Sequence, residues 1–194
     1  MINGITTADL GKPDYELALK QHAAYIEALR QCGVKVTVLE ADEAYPDSCF
    51  VEDTAVLTRK FALITNPGAP SRKGEIEAMV PVIKKFYGED RIEYIQSPGT
   101  LEGGDVMMVG DHFYIGISAR TNVEGAQQLI DALKKYGMSG EMVPLHTILH
   151  LKTGLSYLEN NHLLICGEFL ENPTFSKFHQ IQIAAGEEYG ANCI

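Results

Sequence analysis

Three polar stretches of the chain carry residue types that can hold charge and move protons. They are Asp47-Ser48-Cys49-Phe50-Val51-Glu52-Asp53-Thr54, Leu101-Glu102-Gly103-Gly104-Asp105-Val106 and Leu149-His150-Leu151-Lys152-Thr153. About 50 residues separate each stretch from the next, a period in the range of stacked repeat units. Carboxylates lead the first two and an imidazole the third, so a repeat that aims them at one centre would bind a cation and shuttle a proton. Asp47, Glu52 and Asp53 crowd one segment with little positive charge beside them. Carboxylates so close repel one another unless a cation joins them, and a planar guanidinium can take paired hydrogen bonds from such a group. His150 as a general base needs an acid to hold its tautomer, and Glu102, at the matching place one repeat earlier, is the natural partner. Arg72 and Arg120 each sit in a loop ahead of a helix, where either can meet a carboxylate. Read one at a time, the same residues also fit an exposed acidic turn, a structural histidine and solvated surface arginines.

Other chemistries fit less well. His146 and His150 have the spacing of a helical metal pair, yet their segment reads as strand and loop with no third ligand nearby, so no metal is expected. The run Glu102-Gly103-Gly104-Asp105 lacks the spacing of a phosphate loop, and its glycines instead allow a tight turn or a close backbone approach. A net charge of −10 over 194 residues, with 26 acidic against 16 basic side chains, disfavours nucleic acid and anionic membranes as partners and favours a cationic small molecule. Cys32, Cys49, Cys166 and Cys193 form no close pair and read as reduced thiols. The start of the chain lacks a secretory pattern and no apolar run approaches the roughly 18 residues of a membrane span, so a cytoplasmic location is expected.

The elements that must position these residues follow from period and punctuation. Asp14 to Gly33 reads as an amphipathic helix with Tyr15, Ala18, His22, Tyr25, Leu29 and Cys32 on one stripe, and Val34 to Leu39 as a strand. Strands over 51–57 and 61–65, a helix over 74–87 interrupted by Pro81 and a strand over 91–96 make the next unit. Strands over 105–109 and 113–116, a helix capped by Asn122 with Ala126, Leu129, Leu133 and Tyr136 inward, and an extended 140–145 make another. The last has strands over 155–158 and 162–166, a helix from Asn172 and Pro173 to about Glu188, and the beginning of a closing strand. The pattern is an α/β fold of ββαβ repeats within one domain over 1–194, with repeats at roughly 1–41 (partial), 49–96, 99–146 and 149–194 (partial).

Five ordered strings carry a resemblance. Asp47 to Ala55, Thr65-Asn66-Pro67-Gly68-Ala69-Pro70-Ser71-Arg72, Leu101 to Val106, Ser118-Ala119-Arg120-Thr121-Asn122 and Leu149-His150-Leu151-Lys152 resemble the dimethylarginine dimethylaminohydrolase family of the guanidine-modifying, or pentein, superfamily. The resemblance implies a five-bladed ββαβ propeller, here an incomplete ring. It implies a hydrolase that needs no cofactor. In that chemistry a cysteine thiolate attacks the guanidinium carbon of an Nω-methylated arginine, methylamine or dimethylamine leaves, and the thiouronium is hydrolysed to citrulline. It also implies His150 as general acid and base with Glu102 orienting it, Asp47 and Glu52 gripping the guanidinium, Phe50 lining the pocket and Asp53 supporting the acids. Arg72 and Arg120 would take the α-carboxylate. The family's nucleophilic cysteine belongs to a segment beyond position 194 and its lid to a hairpin before Met1, so the 194 residues alone are expected to be inactive, with open strand edges that favour self-association. Two other readings remain: an arginine or agmatine deiminase of the same superfamily, and a non-catalytic, truncated binding module.

Overall fold

The computed structural model describes residues 2–6 and 11–193, so Met1, residues 7–10 and Ile194, which the first and last expected repeats include, lie outside the described residues. The chain divides into two compact units, Met1–Phe50 and Val51–Ile194.

In the first unit one helix, α1 (Tyr15–Gln31), starts where Asp14 accepts the Leu17 N–H at 3.0 Å. The helix forms as its period requires, but none of its residues is buried. Its expected inward stripe is open: Tyr15 and Tyr25 are 46% and 47% exposed. The cause lies in the next segment. Val34 to Leu39 forms no strand, and a strand exists only by pairing, so α1 has no sheet of its own unit to cover.

The second unit contains three three-stranded sheets of one design. The first sheet has β1 (Ala55–Leu57), β2 (Ala62–Ile64) and β3 (Ile92–Tyr94). The second has β4 (Val106–Val109), β5 (His112–Ile117) and β6 (Ser139–Pro144), and the third β7 (Leu155–Tyr157), β8 (His162–Ile165) and β9 (His179–Gln182). In each, the first pair is antiparallel and the second parallel, which demands a crossover between the last two strands. The first two crossovers hold helices α2 (Ile76–Ile83) and α3 (Val123–Lys135). Asn122 caps α3 by accepting the Gly125 N–H, and Ala126, Leu129, Ile130 and Leu133 bury its inner face. The expected helix over 74–87 is two pieces, a 3₁₀ segment Pro70–Glu75 and then α2, which ends two residues past Pro81.

The third crossover differs from expectation. Asn172 does cap, accepting the Thr174 N–H at 3.0 Å, but the turn it starts is a single 3₁₀ segment, Pro173–Phe175. Phe175 and Phe178 are buried beside Tyr114 and Phe169, which anchors the chain before it can wind further and returns it as β9 alongside β8. Aromatic burial outweighs a start signal that α and 3₁₀ turns share.

A short 3₁₀ turn precedes the first strand of every sheet: Val51–Thr54, Gly103–Asp105 and Leu151–Thr153. Strands β1, β4 and β7 together wall a cavity of about 330 Å³, with Glu52, Gly103 and Lys152 from these turns at its edge. Like turns at like places bring residues 51–54, 103–105 and 151–153 of the second unit together.

Candidate functional site

Each of the last two turns is entered through a polar residue: Glu102 stands immediately before Gly103, and His150 immediately before Leu151. Within the turns the third positions are Asp53, Asp105 and Thr153. The two aspartates do the same structural work. Asp53 Oδ1 accepts the Gly104 N–H of the following turn at 2.8 Å, and Asp105 Oδ1 accepts the Leu151 N–H of its successor at 3.0 Å. Each acid therefore staples its turn to the next. The glycines make the approach feasible. A Cβ at Gly103 would lie 2.1 Å from the Glu52 carbonyl oxygen, and one at Gly104 would lie 3.0 Å from the His150 ring.

His150 ends between two buried carboxylates. Its Nε2 is 3.4 Å from Glu102 Oε2 and its Nδ1 is 3.3 Å from Asp105 Oδ2, and the side chain is only 12% exposed. Nδ1 is enclosed without a well-formed hydrogen bond. Burial pulls the His150 pKa down, but the close approach of the Asp105 carboxylate to Nδ1, with the charges of Asp53 and Glu102, outweighs it and holds the pKa above the ordinary histidine range. The loop leading to the histidine is pinned by Glu168, which accepts the N–H groups of His146, Thr147 and Ile148 at 3.0 to 3.3 Å. His146 itself is exposed.

Glu102 is fully buried and collects several donors. Its Oε1 accepts the Ala69 N–H at 3.1 Å, Arg120 Nη1 lies 3.4 Å from both oxygens, and Arg72 Nη1 is 3.9 Å away. Thr121 ties this acid to its neighbour, accepting the Glu102 N–H and donating to Asp105 Oδ2 at 2.7 Å. Ser118 donates to the same Oδ2 at 2.7 Å.

Arg72, expected to take a substrate carboxylate, already meets two carboxylates of the chain. It is buried, with Nη1 donating to Asp53 Oδ2 at 2.6 Å and Nη2 to Glu75 Oε2 at 2.7 Å. Burial alone would lower its pKa, but these two acids raise it well above the ordinary value. Ligand atoms of Asp53, Glu102 and His150 lie within 4.8 Å of one another, the spacing of a cation site. The guanidinium of Arg72 already stands against two of the three, so the positive charge those acids require is built into the chain.

The structure thus gathers Asp53, Arg72, Glu102, Arg120 and His150 into one cluster. Glu52 lies at the cavity edge, exposed, and accepts from Lys152 Nζ of the third turn. Asp47 and Phe50 belong to the first unit, where both Asp47 oxygens accept the Ile5 N–H at 3.1 Å and Phe50 is exposed. Sequence reasoning passed over Asp105, Glu75 and Lys152. For Asp105 a signal existed: it shares the third turn position with Asp53.

The comparisons with known proteins agree with this geometry. The family described as N,N dimethylarginine dimethylhydrolase, eukaryotic, matches residues 10–178. The N(G),N(G)-dimethylarginine dimethylaminohydrolase of Pseudomonas aeruginosa is 55% identical over all 194 residues, which span 76% of that protein. A solved structure of a Pseudomonas aeruginosa enzyme, a cysteine-to-serine mutant complexed with citrulline, superposes over the whole chain and 75% of its own length with a TM-score of 0.97. At 15% identity, the N-terminal domain of ArgZ, an arginine dihydrolase of cyanobacteria, covers 93% of the chain with a TM-score of 0.78 and shares the fold alone. The repeated turns, the buried acids around His150 and these matches lead to one conclusion: the chain belongs to the dimethylarginine dimethylaminohydrolase family.

Proposed function

We propose that the protein hydrolyses Nω-methylated arginine to citrulline and methylamine or dimethylamine. The observation that carries the reading is His150 inside a cluster with more acid than base. The cluster holds four buried carboxylates, Asp53, Glu75, Glu102 and Asp105, and only two guanidiniums, Arg72 and Arg120. Negative charge remains in excess even when His150 is protonated, which suits a cationic head group. In the reaction the thiolate forms a bond to the guanidinium carbon, and the C–N bond to the methylated nitrogen breaks with its electron pair. That nitrogen takes a proton from His150 and leaves as the amine. Water then gives one proton to His150 as its hydroxyl bonds to the carbon, and as that hydroxyl loses its remaining proton to the departing amine or to solvent the C–S bond breaks, releasing citrulline and regenerating thiolate.

Glu102 orients His150, and Glu52 offers its carboxylate to the guanidinium in exchange for Lys152. Arg120, with only long contacts to Glu102, takes the substrate carboxylate, while Arg72 stays committed to Asp53 and Glu75. The nucleophile is assigned outside the 194 residues. Among the cysteines here, burial and then the charge of Glu188 push the Cys166 thiol up, making it a poor thiolate. No described helix is long and apolar enough to cross a membrane, and a cytoplasmic setting is part of the same proposal.

The test is product analysis of a chimera in which the remaining C-terminal stretch of the Pseudomonas relative follows Ile194. With Nω,Nω-dimethylarginine it should release citrulline and dimethylamine in equal amounts, whereas arginine or agmatine should yield little ammonia. Ammonia from arginine outpacing dimethylamine would favour a deiminase, and a folded, silent chimera would overturn the hydrolase reading.

A further inference from the structure

Asp105 has no part in the expected chemistry, yet it is fully buried and faces the nitrogen of His150 that Glu102 does not. We propose that Asp105 is a positioning residue for the catalytic step: it keeps the His150 proton on Nδ1 and so leaves Nε2 as the nitrogen that gives and takes the substrate's proton. The proposal rests on the hydrolase reading for its function, though not for its test.

The geometry argues as follows. An imidazole nitrogen without a proton presents a lone pair, and a lone pair pointed at a carboxylate is repelled. Nδ1 lies 3.3 Å from Asp105 Oδ2 and makes no well-formed hydrogen bond, so the Asp105 carboxylate is the acceptor its proton faces, and that contact favours a proton on Nδ1 in both the charged and the neutral ring. Nε2 also faces an acid, but that acid is compromised: Glu102 is shared among the Ala69 N–H, Arg120 and Arg72, which drain its negative charge. Asp105 meets no arginine in this cluster. Its donors are two hydroxyls and one backbone N–H, all neutral, so it keeps its full charge and the stronger claim on the ring proton. The groups that face the histidine within its unit are Asp53, Glu102 and Asp105, and the arginines behind them touch Asp53 and Glu102.

Asp105→Asn keeps the shape and the backbone staple while removing the charge. In the 194-residue protein labelled with ¹⁵N-histidine, NMR titration should show the His150 midpoint falling by about one pH unit, roughly tenfold in proton affinity, and the neutral ring moving its proton from Nδ1 to Nε2. A folded Asp105→Asn protein with an unchanged midpoint and Nδ1 still protonated would overturn the proposal. Should that variant fail to fold, Ser118→Ala decides. It removes one neutral donor from Oδ2, so a raised His150 midpoint supports the proposal, and an unchanged or lowered one refutes it. None of these readings depends on turnover, so the failure of the hydrolase reading would show separately, as a silent chimera.

Discussion

Asp53 and Asp105 occupy the same place in successive turns, staple the next turn in the same way, and are put to different use. Asp53 is answered by Arg72, drawn from the segment after β2 and held on its other side by Glu75. Asp105 is answered by Ser118 and Thr121, drawn from the corresponding segment after β5, and by His150. One repeat neutralises its acid and becomes a rigid ion-paired corner; the other leaves its acid charged and turns the field on an imidazole. A repeat fold can reuse a staple and change only the partner, and the partner decides whether the acid serves structure or chemistry.

The largest effect should come from breaking the ion-paired corner. Arg72→Met would leave Asp53 and Glu75 buried without their cation, at a cost of about 3–5 kcal/mol in denaturant unfolding. Asp105→Asn loses no ion pair to an arginine and should cost less, on the order of 1–3 kcal/mol. Equal losses would erase the distinction between the two acids. Asp53→Asn should also lower the His150 midpoint, since its charge contributes, but by less than Asp105→Asn does.

Stability should follow pH through the histidine. Because the folded pKa of His150 is raised, protonation stabilises the folded state. That contribution is fully present below the unfolded value of about 6.5 and is lost as pH rises through the folded pKa. Urea midpoints measured across that window should fall in the natural chain and flatten in Asp105→Asn, and parallel profiles would contradict the assignment. The smallest effect belongs to Lys152→Met. That half-exposed pair is worth at most about 1 kcal/mol to the fold, but removing the ammonium frees Glu52, so calorimetry should find a cationic arginine analogue bound somewhat more tightly.

Local signals were legible where local chemistry decides. Asn122 and the spacing of Leu129 and Leu133 gave α3, and Gly110-Asp111 gave the turn between β4 and β5. What depends on distant partners was not. Val34 to Leu39 has strand composition but no strand to pair with, and Asn172-Pro173 announces a turn whose length is set by Phe175 and Phe178. In the site, His150 and Glu102 stood out because their positions repeat. Arg72 was read as a carboxylate binder, but a lone arginine in a loop shows nothing of which carboxylates it meets: Glu75, three residues on, and Asp53, nineteen back. Asp105 was hidden by the glycines before it, which drew attention to the turn and away from the acid that closes it.

The central claim is that His150 moves the proton in cleavage of a methylated guanidinium, and citrulline release by the chimera with and without His150 tests it most directly. The natural histidine should give steady citrulline from Nω,Nω-dimethylarginine, and His150→Ala, with substrate binding intact, should slow it by about 10²–10⁴-fold. Release at an undiminished rate from the alanine variant would contradict the account.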